Sequence, residues 1–181
     1  MGRILDFKRN GPRRSTFEAP VITSAVEFVE SAFPLVLVRL PHAMGRPQLE
    51  ELFTGFDRVQ KRVRDEQTLY YVVIDALALA RLPDPAERQQ LTDWMSDPAR
   101  TEVESRYGLG TSIVLASRPL RAVLTAINWI RRPPKPQVVV ETVVEAIDQG
   151  LDHMREAKTP ISPAMQMLRS HESGRSKPAR R

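Results

Sequence analysis

The sequence predicts an α/β domain built on a mixed, mostly parallel β-sheet. Three observations carry this. Apolar runs of strand length recur at Leu35–Leu40, Leu69–Ile74, Thr111–Ala116 and Gln137–Glu141. The segments between them place apolar residues at helical steps of three and four. The runs are apolar nearly throughout instead of alternating, as expected of strands covered by helices. Such alternation calls for parallel strands joined by crossover helices, in the order ββαβαβαβα.

Taken in order, Val21–Glu30 reads as the first arm of a hairpin, with Val26 and Phe28 ahead of a turn at Ser31–Pro34, and as an antiparallel edge to the sheet. LVLVRL at Leu35–Leu40 is the central strand. Pro47 opens a helix, and Leu49, Leu52, Phe53, Phe56, Val59 and Val63 form its apolar stripe, which Gly55 weakens a little. LYYVVI at Leu69–Ile74 is the next strand, ending at Asp75. Asp84-Pro85-Ala86-Glu87 combines a capping aspartate, a first-turn proline and a glutamate three residues on, which is a helix start. That helix carries Leu91, Trp94 and Met95 and breaks near Pro98; a second piece spans 99–107, stopped by Gly108 and Gly110. TSIVLA at Thr111–Ala116 is the third buried strand. Pro119 opens a helix with Leu120, Val123, Leu124, Ile127 and Ile130 on one face, ended by the RRPPKP run at Arg131–Pro136. QVVVE is the fourth strand, and Thr142 to Glu145 again shows a capping pattern ahead of a helix burying Val144, Ile147, Leu151 and Met154.

The 181 residues suit one domain at 20–157, with a basic disordered arm at 1–19 and a basic tail at 158–181 holding a short docking helix at 161–169. At 41% hydrophobic and 27% charged, the chain can bury a core. With no cysteine, disulfides, thiolate metal sites and a cysteine nucleophile are excluded. No signal-type or membrane-spanning run is present, so a cytoplasmic protein is expected. The net charge of +5 resides in the ends. Residues 1–20 hold five basic and two acidic groups and residues 155–181 seven and two, leaving the middle at 15 basic against 18 acidic. Basic ends on a mildly acidic body fit loose contact with nucleic acid or an acidic membrane, or simple solvation.

The opening hairpin, LVLVRL, LYYVVID, the LPDPAE helix entry, TSIVLAS and the closing QVVVE-helix pair together resemble the STAS-like fold of anti-sigma-factor antagonists and the related SpoIIAA-like proteins, over roughly 21–157. The resemblance implies a bacterial, non-enzymatic module that binds another protein in regulation or scaffolding. In that family an Asp-Ser pair opens the helix after the second core strand, and the serine is phosphorylated. Here the aspartate matches as Asp84, but Pro85 stands at the serine and has no hydroxyl to phosphorylate. The relation of such folds to lipid-transfer domains implies an alternative, a small-ligand or lipid-binding domain with an apolar cavity between sheet and helices.

The expected partner-binding face joins Asp84 and Arg88, at the entry of one helix, to Arg118, Arg121, Asn128, Trp129, Arg131 and Arg132 around the next. An aromatic among arginines is a common hot-spot composition; packing of Trp129 on the PPKP stretch is the structural alternative. Catalysis is not expected. His42, His153 and His171 are far apart in the chain, and Asp75, at a strand end, lacks a visible partner. No metal-ligand spacing occurs and no cofactor is expected. Self-association is a further expectation, through edge strands or the segment around Met165 and Met167.

Overall fold

A computed structural model describes residues 24–81, 83–115, 121, 124 and 133–175. Five strands form one sheet: β1 (Glu27–Val29), β2 (Leu35–Arg39), β3 (Tyr70–Asp75), β4 (Gly108–Val114) and β5 (Gln137–Val140). Their spatial order equals their sequence order. β1 runs antiparallel to β2 and every other neighbouring pair is parallel, so the expected mixed sheet with an antiparallel edge is present. In register, Leu35 lies opposite Tyr71, Val72 opposite Thr111 and Ile113 opposite Val139.

Because the parallel strands add one after another in one direction, the sheet has no point where the strand order reverses. The ligand crevice of doubly wound folds therefore has no place here. Right-handed crossovers that all advance the same way must all lie on one face. That face carries α1 (Arg46–Glu66), α2 (Pro85–Met95) and α3 (Pro98–Tyr107). The opposite face is covered by α4 (Val143–Glu156) and α5 (Pro163–Arg175), which follow the last strand.

Alternating strand residues feed two cores. Leu35, Leu37, Tyr71, Val73, Val114 and Val140 meet Ile147, Leu151, Met154, Met165 and Leu168 of α4 and α5. Val36, Val38, Tyr70 and Val72 meet Leu49, Leu52, Val59, Val63 and Val103 of α1 and α3. Burial on both faces is why these strands read as continuous apolar runs.

Three elements differ from the sequence expectation. β1 is only three residues long. Just before it the Val26 N–H donates to Glu51 Oε2 of α1 at 3.0 Å, so the chain there is tied to a helix instead of extending the ladder. β4 starts at Gly108, not Thr111: Tyr70 pairs with Gly108 and Tyr71 with Gly110, leaving Leu109 as the extra residue of a bulge. The glycines that look like a helix stop are strand residues. α5 runs from Pro163 to Arg175, beyond the docking helix expected at 161–169 and into the rest of the expected basic tail. Met165 and Leu168 sit in the core, and the next turn is anchored by Glu172, whose Oε1 accepts from Arg39 Nη2 at 2.7 Å. A buried charge leaves no trace in an apolar pattern. The burial of Met165 also removes it from any self-association surface, whereas Met167 is exposed.

Gly55 has a use that its helix cost conceals. A Cβ there would stand 2.1 Å from Phe28 Cε2, so the missing side chain is what lets β1 lay its ring on α1.

Candidate functional site

Between the sheet and α1–α3 lies a cavity of about 260 Å³. β3 supplies part of its wall through Tyr70, Val72 and Ile74, alternate residues on one face. α1 contributes Leu49, Leu52, Phe56 and Gln60 from its apolar stripe, and α2 contributes Leu91, Trp94 and Met95, spaced by three and four. Arg100 and Glu104 of α3 complete one side. Arg88, Lys135 and Leu124 also reach the lining.

α2, which borders this cavity, is loosely packed. α2 has no fully buried residue, and α3 buries only Val103. α2 is held mainly at one end by aromatic contacts. Trp94 stacks on Phe53 with centroids 4.6 Å apart and meets Phe56 at 5.6 Å, while Phe56 takes the edge of Phe28 at 5.4 Å. The Arg100 guanidinium lies 3.9 Å from the centroid of Trp94, a cation–π contact.

The polar groups at this end are unevenly satisfied. Arg100 Nη2 donates to Asp57 Oδ1 on α1. Among the described residues, Arg100 Nε, Arg100 Nη1 and Trp94 Nε1 are buried without a hydrogen-bond partner. Buried donors are nearly always satisfied in folded proteins, so three on two adjacent side chains need an explanation. Tyr70 differs: burial, reinforced by the nearby Glu104 charge, pushes its phenol well above the ordinary range, with a hydrogen bond to Gln60 opposing. It stays neutral and hydrogen-bonded.

Asp84 is exposed and caps α2. Its Oδ1 accepts from Glu87 N at 2.8 Å, and Glu87 Oε2 accepts from Asp84 N at 2.6 Å, a reciprocal capping box. Arg88 is half-buried, and its Nη1 donates to Pro83 O at 2.9 Å. Arg121 donates from Nε and Nη2 to Leu115 O at 3.0 and 2.7 Å, with Glu141 at 3.5 Å. Arg118, Asn128, Trp129, Arg131 and Arg132 lie outside the described residues, as do the arm at 1–19 and the last residues, 176–181.

The residues weighed for chemistry have structural partners. Asp75 Oδ1 accepts from Leu77 N at 3.1 Å, and Asp75 stands 4.0 Å from Arg39. Burial pushes its carboxyl above the ordinary range. The His42 carbonyl accepts from Ala80 N at 2.9 Å, with the ring exposed. His153 is half-buried and stacks on Tyr71 at 5.4 Å. His171, expected in a tail, is an exposed residue of α5 beside Glu172. Among the described residues no three His, Asp or Glu side chains gather as metal ligands.

Arg100, Glu104 and Trp94 are not among the site residues expected from sequence, although α3 carries a signal for the first two. Arg100, Val103, Glu104 and Tyr107 follow the i, i+3, i+4, i+7 pattern of an inward stripe, with two charged residues where apolar ones belong. No protein-family model matches the chain, and neither a curated protein nor a solved structure matches it.

Proposed function

We propose that the chain is a small-ligand-binding module whose site is the cavity beneath α2. The observation that supports this is an apolar chamber of about 260 Å³ bounded on several sides by secondary structure, with unsatisfied polar groups where the end of α2 meets α3. Ligand sites are commonly concave, mainly apolar and marked by a few placed polar groups. They commonly span about 300–1,000 Å³, so a volume near the lower bound fits a small or single-chain molecule and not a two-chain lipid. The small-ligand or lipid-binding alternative implied by the STAS-like resemblance is in line with this site, and the resemblance itself stays a proposal about fold.

The test is uptake of an uncharged apolar dye, N-phenylnaphthylamine, by the full chain. Saturable fluorescence enhancement is expected, and it should be lost in Leu91→Trp, which fills the chamber. No enhancement in the wild-type protein defeats the proposal.

A role as a protein-interaction module is supported by a different observation. The β3–α2 connection exposes Leu77, 47% accessible, in the same connection that ends at the exposed Asp84. Leu77→Asp combined with Asp84→Arg should abolish co-precipitation of a partner from native cells if that connection is the contact. Undiminished recovery removes it. Binding to polyanions through the basic ends is tested by deleting 1–19 and 176–181 and measuring retention on DNA and acidic vesicles; intact binding eliminates the ends as agents.

A further inference from the structure

We infer that the cavity selects an anionic single-chain amphiphile and that Arg100 and Trp94 receive its head group; this deepens the ligand-binding proposal above and rests on it. The first ground is the unsatisfied donors. Arg100 Nε, Arg100 Nη1 and Trp94 Nε1 are buried and unpartnered among the described residues, and both side chains line the cavity. An apolar ligand would leave them so, whereas an oxygen-bearing head group supplies acceptors. Arg100 cannot turn away to find water: its Nη2 is tied to Asp57 and its guanidinium plane lies on Trp94.

The second ground is charge. The described lining includes three cations, Arg88, Arg100 and Lys135, and one carboxylate, Glu104. Counting Asp57 as well, which is not in the lining, the balance is still positive. A carboxylate or phosphate brings a full opposite charge and at least two acceptor oxygens to the guanidinium, so it gains more here than an alcohol or amide. The third ground is the arrangement. The aromatic groups Phe53, Phe56 and Trp94 stand at the α1–α2–α3 junction with Arg100, while Val72, Ile74 and Leu91 extend the apolar lining. A guanidinium set beside an apolar lining matches a molecule with one charged head and one apolar chain.

The experiment displaces bound N-phenylnaphthylamine from the full chain with decanoate, decyl phosphate and decanol, which share one tail and differ in the head. Decanoate is expected to compete about tenfold better than decanol, a difference of one charge-assisted contact. Arg100→Gln should still take up the dye and lose that preference. Trp94→Phe keeps an aromatic ring against Phe53, removes one donor, and should weaken decanoate severalfold while leaving decanol unchanged; it carries the test if Arg100→Gln does not fold. Decyl phosphate matching decanoate supports recognition of anionic heads in general, and decyl phosphate falling to the level of decanol supports a carboxylate-sized pocket. Equal competition by decanoate and decanol, or a preference that survives both substitutions, overturns the head-group assignment while leaving the apolar site standing. Failure of the wild-type chain to bind the dye or any of the three competitors overturns both.

Discussion

The two faces of the sheet are made by the same strands, yet one is closed and the other holds a chamber. On the closed face α4 approaches through Gly150, where a Cβ would stand 2.8 Å from both Leu35 Cδ1 and Tyr71 Cδ1. Ile147, Met154 and Met165 there are fully buried. On the other face α1 packs through a full stripe, but α2 buries nothing completely and its Trp94 rests on α1. The difference lies in the helices, not the strands. A helix with a small residue at the contact comes close, while α2, which leads with Trp, Met and Leu, buries none of them completely.

The sharpest test sets one face against the other. Ile147→Ala deletes a wholly buried side chain from a close-packed face and should lower the unfolding free energy by about 2–5 kcal/mol. Leu91→Ala enlarges a space that already exists and should cost about 1 kcal/mol or less, since the residue is only half-buried. Urea denaturation of both variants measures this. Equal losses would mean that the α2 face is packed as tightly as its opposite.

The closed face also has an electrostatic latch. Arg39, at the end of β2, reaches Glu172 at 2.7 Å and Glu27 at 2.9 Å, and the Glu172 side chain is 5% exposed. Breaking a buried ion pair usually costs about 3–5 kcal/mol because a charge is stranded. Glu172→Gln keeps the shape, and Arg39 retains Glu27 and Asp75, so about 1–3 kcal/mol is expected. The loss should concentrate in α5, seen as faster amide exchange across 163–175 with α1 unaffected. Uniform acceleration would show that α5 is not a separately anchored element.

A smaller effect belongs to the chamber side. Asp84→Ala removes the reciprocal cap of α2 and should cost about 1 kcal/mol. Because α2 forms part of the chamber, dye affinity should fall with it. Unchanged affinity would show that the chamber does not depend on the first turn of α2.

That cap was legible in the sequence because its signal is local, four consecutive residues with a fixed geometry. So were the strands and α1, whose periodicity repeats enough to be read alone. The Arg39–Glu172 latch was not, since its partners are 133 positions apart and neither sits in a pattern that demands the other. The chamber was not legible for a different reason. Leu91, Trp94 and Met95 are the same residues whether they fill a core or line a space. Spacing tells which way a side chain faces, not how far its helix stands from the sheet. The charged pair Arg100 and Glu104 on an inward stripe was the one mark the sequence offered.

The smallest expected effect concerns acid and Asp75. Burial raises its folded-state pKa above the ordinary 3.8, outweighing the Leu77 N–H and the Arg39 charge that favour the carboxylate. The folded chain therefore holds this proton more tightly than the unfolded chain. Its contribution to stability is complete below the ordinary carboxylate pKa and is lost as pH climbs from there through the raised value. At neutral pH Asp75 is a net burden on the fold, in contrast to Glu172 one layer away. Asp75→Asn retains an acceptor for Leu77 N and removes the charge. It should be modestly more stable than the wild type at pH 7, with the gap closing as pH falls through the raised value toward 3.8 in paired thermal scans. A variant less stable than the wild type at pH 7 would mean that Arg39 needs all three carboxylates, and that the latch on the closed face is a network and not a pair.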